Sequence, residues 1–312
     1  WWVACWPISR SSGSIRGLIP VSSSVTPVLP RGAWRRDSRV FARGGRLLPR
    51  SWRRPFFAIL LLVLVLYVGL VPLLNTVPLT DVSYQTGAQA PSLAHLFGTD
   101  LAGRDLFVRC AYGLRVSILV ALAGALSAIV LGSLVGLVCG VVGGRFDRWV
   151  MRIVDGFNSL PHLLIGIVIA ATFRGSLLAI IMVVGLTHWP QTARLTRAEI
   201  LSISVSDHYR AAISQGFTRT QLLRYHALPR LVNQVSVAFG LLIPHAIWHE
   251  STLTFLGLGL PPHQPSLGSL VNLGQQALLT GNWWTLAAPA GLLVATTVAI
   301  TGIISSKESH HE

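Results

Sequence analysis

Six apolar blocks constrain this chain more than any other feature: residues 55–74, 116–142, 154–173, 177–191, 231–253 and, after the pair Trp283 and Trp284, a run reaching about residue 305. A helix rises about 1.5 Å per residue, so about 20 apolar residues cross a hydrocarbon core of about 30 Å. Charged residues supply only 12% of the 312 positions, about half the share found in a soluble domain. The chain therefore lacks the polar surface that water requires. The expected fold class is an all-α polytopic membrane protein with six transmembrane helices.

The formal net charge of +14 invites nucleic acid as a partner, but the placement of the charge argues against it. The basic side chains are nearly all Arg and fall between the apolar blocks, as cytoplasmic segments require. Arg31, Arg35, Arg36, Arg39, Arg43, Arg46 and Arg50 crowd an Arg/Ser/Pro-rich extension over residues 1–50. That extension is expected to be cytoplasmic and disordered, and it has no secretory-signal pattern. Arg145, Arg148 and Arg152 mark 143–152 as an inside loop, and Arg194, Arg197, Arg210, Arg219, Arg224 and Arg230 do the same for 193–230. The segment 254–282 holds no Lys, Arg, Asp or Glu, so it reads as an outside loop, and both termini are then cytoplasmic. The lipid bilayer is the partner this distribution implies, with no nucleic acid.

The expected divisions are the extension 1–50, a first helix with its outer segment over 51–112, a core over 113–306 and a tail over 307–312. Cys5, Cys110 and Cys139 are too scattered for a disulfide framework or a metal cluster. Gly132, Gly136 and Gly140 recur every fourth residue, which puts them on one helical face where another backbone can come close.

The cytoplasmic stretch from Asp207 to Pro229 reads as two short helices around a turn. It resembles the coupling loop of ABC importer permeases, Glu-Ala-Ala, three residues, Gly, nine residues, Ile-x-Leu-Pro. Ala211, Ala212, Gly216, Leu228 and Pro229 match in register, while Arg210 replaces the usual Glu and His226 the usual Ile. Gly98, Thr99, Asp100, Gly103, Arg104 and Asp105 resemble the outer signature of the peptide/nickel branch of that family, and Thr254–Pro262 resembles a second signature. The close of the chain departs from the family pattern.

The resemblance implies a type I ABC importer permease fold, with a core permease domain over 113–306 and a coupling loop over 205–229, in a bacterial inner membrane. Tyr209, Arg210, Ala211, Ala212, Gly216, Leu228 and Pro229 would engage an ATPase. No phosphate-binding loop of the Gly-x-x-x-x-Gly-Lys-Ser/Thr kind occurs in the chain. ATP and Mg would therefore be bound by two partner ATPase subunits, and no enzymatic activity or resident cofactor is expected here. A second homologous permease, forming a heterodimer, and an extracytoplasmic solute-binding protein would complete the assembly, the binding protein docking on 75–115 and 254–282.

For the substrate, His245 and His249 stand one helical turn apart with Glu250 adjacent, and His188 lies near the end of the fourth block. Imidazoles so spaced suit a borderline divalent ion, and polar groups inside a span mark pathways. With His310, His311 and Glu312 as a further metal-capturing tail, nickel, free or chelated, is the expected substrate. Dipeptides or oligopeptides are the alternative within the family. An intramembrane metalloenzyme is the alternative of another class, but the order of the residues is not His-Glu-x-x-His.

Overall fold

The computed structural model describes residues 50–75, 81–83, 87–261 and 264–308. The expected disordered extension, apart from Arg50, together with Cys5, Pro262, His310, His311 and Glu312, lies outside the described residues. The described part belongs to one unit over Leu48–Glu312. It is helical, with Thr99 and Asp105 forming an isolated β-bridge. Among the described residues ten helices follow in order: α1 (Arg50–Leu74), α2 (Leu106–Val142), α3 (Gly144–Ser159), α4 (His162–Thr172), α5 (Leu177–Ser204), α6 (Asp207–Ser214), α7 (Arg219–Leu222), α8 (Leu228–Phe255), α9 (Leu267–Leu278) and α10 (Trp284–Glu308). A π-helical turn, Leu223–Ala227, joins α7 to α8.

Among the described residues, four helices are long and apolar enough to cross a membrane: α1 from Arg54, α2, α8 and α10 to Ser306. The pair α3 and α4 supplies a fifth span if counted as one, bent by 80°. The six-span expectation is thus reached only by adding α5, whose apolar run is interrupted by His188, Trp189, Pro190 and Gln191 before the charges begin. The bend has a local cause. Pro161 bars its predecessor from the helical region, and Leu160 accordingly lies extended at φ −85° and ψ 136°.

Other boundaries differ from the sequence expectation for similarly local reasons. Helix α2 begins at Leu106, not near 116, because the Asp105 side chain accepts hydrogen bonds from the backbone N–H groups of Phe107 and Val108. It runs through the expected 112/113 boundary without interruption. The expected loop 143–152 is the first half of α3, and the expected outer loop 254–282 contains α9. That helix opens with a capping box between Ser266 and Ser269. It buries Leu267, Leu270 and Ala277.

The pairing of α2 with α5 follows from side chains that are missing. A Cβ on Gly132 would stand 2.5 Å from both the Thr192 Cβ and the Trp189 carbonyl oxygen, and one on Gly140 2.7 Å from the Ile200 Cβ. Gly136 meets the backbone carbonyl of Ala193, while Gly124 faces Val184 and Gly185 faces Ser127. The expected glycine face is therefore an extended seam against one partner helix.

Ion pairs hold the polar half of α5. Arg197 donates two hydrogen bonds of 2.5 Å to Asp147 on α3, Arg194 pairs with Asp155, and Arg230 lies 3.3 Å from Glu199. At the end of α10, the Arg54 guanidinium donates to the Ser306 carbonyl at 2.8 and 3.0 Å, satisfying one carbonyl that a helix terminus leaves without an intrahelical donor. On α1, Ile59, Leu62, Val63 and Leu66 remain exposed, as a lipid-facing helix requires.

Candidate functional site

Three groups of residues singled out in the sequence occupy separate parts of the fold. The first is the turn 98–105, which the structure organises around Asp100. Its carboxylate accepts from the backbone N–H groups of Ala102 and Arg104, both at 2.9 Å, and from Arg104 Nε at 2.8 Å. The guanidinium of Arg109, buried at the start of α2, closes the set. Thr99 accepts from the Gln89 N–H at 2.8 Å, and its carbonyl receives the Trp284 indole N–H at 3.2 Å. Gly98 has φ +75°, and a Cβ there would press on the Gln89 carbonyl and the Trp284 ring. Gly103 has φ +74°, a conformation open to glycine at little cost. Asp105 caps α2 and also receives His95 Nδ1 at 2.7 Å. This turn is a packed latch between the start of α2 and the start of α10.

The second group surrounds α6. Ser206 caps the helix through its hydroxyl, which accepts from the Tyr209 N–H. Helix α6 ends in a Schellman arrangement: the Phe217 N–H donates to the Ala212 carbonyl at 3.1 Å and the Gly216 N–H to that of Ile213 at 2.9 Å. Gly216 takes the left-handed position at φ +86° with open space around it. Tyr209 packs against the cluster Ile200, Ile203, Ala227 and Leu231, and Ala212 is buried. These contacts anchor one side of the element. Its other side presents Arg210, Ala211, Ile213 and Phe217 to the surroundings, with Leu228 and Pro229 exposed at the start of α8. The result is a small, rigidly capped helix carrying an exposed apolar strip.

The third group lies between α4, α5 and α8. His188, His245 and His249 each offer a ring nitrogen within 4.8 Å of the others. Their rings meet edge to face at centroid distances of 4.8 to 5.0 Å. His249 Nε2 stands 3.2 Å from His245 Nε2. His188 and His249 are buried and His245 is exposed, so the cluster opens on one side. Sequence spacing alone missed His162, the first residue of α4, whose ring stacks on His188 at 5.7 Å. The available signal was its place directly after the helix-breaking Pro161.

Glu250 does not join the imidazoles. It is fully buried on the far side of α8, where Ser117 Oγ donates to it at 2.7 Å and Thr254 Oγ1 at 3.0 Å. One helical residue turns a side chain by about 100°, so Glu250 faces α2 while His249 faces α5.

Residues 128–307 match the family described as the inner membrane component of binding-protein-dependent transport systems. The dipeptide transport system permease protein DppC of Bacillus subtilis is 36% identical over 209 residues, 67% of this chain and 65% of that protein. The oligopeptide transport system permease protein OppC of Haemophilus influenzae is 32% identical over 262 residues, covering 81% of this chain and 84% of that one. OppC of Escherichia coli K12 is 35% identical over 262 residues, with 81% and 86% covered. Among solved structures, one titled as inward facing conformations of the MetNI methionine ABC transporter aligns at a TM-score of 0.47 and 20% identity, over 63% of this chain and 96% of that chain.

Proposed function

The chain belongs to the inner membrane components of binding-protein-dependent transport systems, and from that membership we propose that it is the permease subunit of a peptide importer. The observation that carries the proposal is α6: a capped helix with an exposed apolar strip, placed where the coupling pattern of importer permeases falls. An ATPase groove would cover Ile213 and Phe217, and the Gly216 elbow would set the angle at which the chain leaves that groove.

Dipeptides or oligopeptides are the substrate that the relatives favour, because DppC and OppC are named as dipeptide and oligopeptide permeases. The preference for nickel drawn from histidine placement gives way to this alternative. The remaining assembly is part of the same proposal: a second homologous permease, two ATPase subunits supplying ATP and Mg, and an extracytoplasmic binding protein resting on the latch around Asp100 and on the neutral segment before α9. Both termini and α6 lie on the cytoplasmic side in this arrangement. The subunit itself performs mechanical work and no bond chemistry.

Uptake of a labelled dipeptide, a labelled oligopeptide and radioactive nickel by cells with the intact or deleted gene tests the proposal. Loss of peptide uptake on deletion is the expected result. Peptide uptake left unchanged beside abolished nickel uptake would restore nickel as the cargo.

A further inference from the structure

Helix α3 carries charge that the rest of the described fold leaves unanswered. Its two carboxylates are taken by α5, Asp147 by Arg197 and Asp155 by Arg194. Its arginines, Arg145, Arg148 and Arg152, are exposed, and among the described residues no carboxylate pairs with any of them. Arg148 Nε donates to the Gly144 carbonyl at 3.3 Å, and the Arg152 guanidinium lies over the Trp149 ring at 5.3 Å from its centre. Neither contact neutralises a charge.

The side chains of α3 sort by helical angle. Each residue turns the helix by about 100°, so Asp147, Met151 and Val154 share one face, and Met151 and Val154 pack there with Trp189 and Ala193 of α5. Arg145, Arg148 and Arg152 then lie on one flank of that face, and Phe146 and Ile153 on the other. Both apolar side chains are exposed, and Trp149, 65% exposed, stands at the back between the two flanks. A cationic strip and an apolar strip thus run side by side along the free half of the helix.

The depth of α3 agrees with this division. It meets α5 where the charges of α5 begin, at Arg194 and Arg197, whereas His162 of α4 stacks on His188 within the apolar run. The 80° turn between α3 and α4 therefore separates a helix lying along a membrane boundary from one entering the apolar layer. Indole rings favour the headgroup level, and arginines on the polar flank of such a helix favour anionic headgroups. The arginine distribution assigns this boundary to the cytoplasmic leaflet, whose anionic lipids attract basic segments.

We propose that α3 is a docking surface for an anionic phospholipid, its phosphate held by Arg145, Arg148 and Arg152 and its acyl chains lying on Phe146 and Ile153. Charge complementarity selects this occupant: a phospholipid presents an anion and hydrocarbon together, in the order in which the two strips are laid out. A lipid bound there ties α5 to the leaflet through Asp147 and Asp155. The site does not depend on which cargo the transporter carries.

The full chain in phosphatidylcholine nanodiscs tests it. A fluorophore on Gly156→Cys, where an added side chain meets open space, reports from α3 in a Cys5→Ser background; Cys110 and Cys139 are buried. Phosphatidylglycerol and phosphatidylcholine, each carrying a spin-label quencher near the headgroup, are titrated in turn. Phosphatidylglycerol is expected to quench at a mole fraction at least about ten-fold lower than phosphatidylcholine, and the preference should shrink in high salt. Arg145→Gln, Arg148→Gln and Arg152→Gln together should abolish the preference, while the three Lys replacements, which keep the charge, should retain most of it. The salt series uses the native arginines and does not depend on the triple variant folding.

Equal quenching by both lipids, or a preference that survives the three Gln replacements, overturns the proposal. Relief of quenching by inorganic phosphate at constant ionic strength also overturns it, by giving the arginines to a soluble anion. A label shielded from both lipids makes α3 a protein interface and overturns it as well. Peptide uptake is no part of the readout, so failure here leaves the peptide reading untouched.

Discussion

Ser117 on α2 donates its hydroxyl hydrogen to Glu250 on α8 at 2.7 Å while accepting the Leu267 N–H of α9 at 3.1 Å. Three helices thus meet at one hydroxyl. Both Ser117 and Glu250 are fully buried, so neither can turn to water if the other is removed. Ser117→Ala is expected to destabilise the protein by about 1–3 kcal/mol, the cost of an unmatched buried group. Thermal unfolding in detergent measures this, and an unchanged midpoint would show that the junction is dispensable. Glu250→Gln, which keeps an acceptor of the same shape, should cost less.

The seam between α2 and α5 makes a prediction with an internal control. Gly132→Ala places a methyl group against a backbone carbonyl and a β-branched side chain, which forces the helices apart. It should lower stability by about 1–3 kcal/mol, as overpacking does. Gly69→Ala on α1, where the added carbon meets nothing within 4 Å, should be neutral or slightly stabilising, since Ala exceeds Gly in helix propensity by about 1 kcal/mol. Comparing the two by thermal unfolding separates a contact effect from a propensity effect.

At the elbow after α6, Gly216→Val imposes a left-handed conformation that a β-branched residue resists. The space around Gly216 is open, so the strain is in the backbone and not in packing. Membrane insertion and yield should be unchanged while substrate-stimulated ATP hydrolysis by the assembled transporter falls at least about ten-fold, equivalent to about 1.4 kcal/mol of lost coupling. Wild-type stimulation in this variant would remove α6 from the coupling role.

Arg197 and Asp147 form a forked pair linking α5 to α3. Asp147 is buried, whereas the Arg197 side chain is 31% exposed, so solvent reduces the pair's value below that of a fully buried one. Arg197→Ala should destabilise by roughly 1–3 kcal/mol, chiefly by leaving Asp147 unpaired. Asp147→Asn should restore part of that loss in the double variant, giving a non-zero coupling in a thermodynamic cycle.

The apolar blocks and the glycine spacing made most of the bundle legible, because burial in lipid and close backbone approach leave a direct imprint on composition. Helix ends were harder. The start of α2 depends on the Asp105 cap, and the division of α3 from α4 depends on one proline; neither alters the hydropathy of the surrounding twenty residues. Helix α9 was hidden because a neutral segment rich in Gly, Pro and Leu resembles a loop until its buried face has neighbours.

The functional residues divide in the same way. His245 and His249 were legible as a pair because i and i+4 share a helical face. His188 required two helices to be adjacent, which a single sequence does not state. His162 was missed, since its relation to the others is created by the fold alone. Glu250 was misplaced by adjacency in sequence, which in a helix places two side chains on different faces.

Only two residues separate the end of α5 from the start of α6, and α5 lies close against the glycines of α2, backbone to backbone at Gly132 and Gly136. Two rods in such contact have no slack in which to slip. A small displacement imposed at α6 is thus delivered to both rods at once, and α2, at 37 residues and about 55 Å, carries it to the opposite end of the molecule. The seam makes the pair a stiff pushrod, and stiffness there, more than any individual contact, decides how much of a stroke arrives.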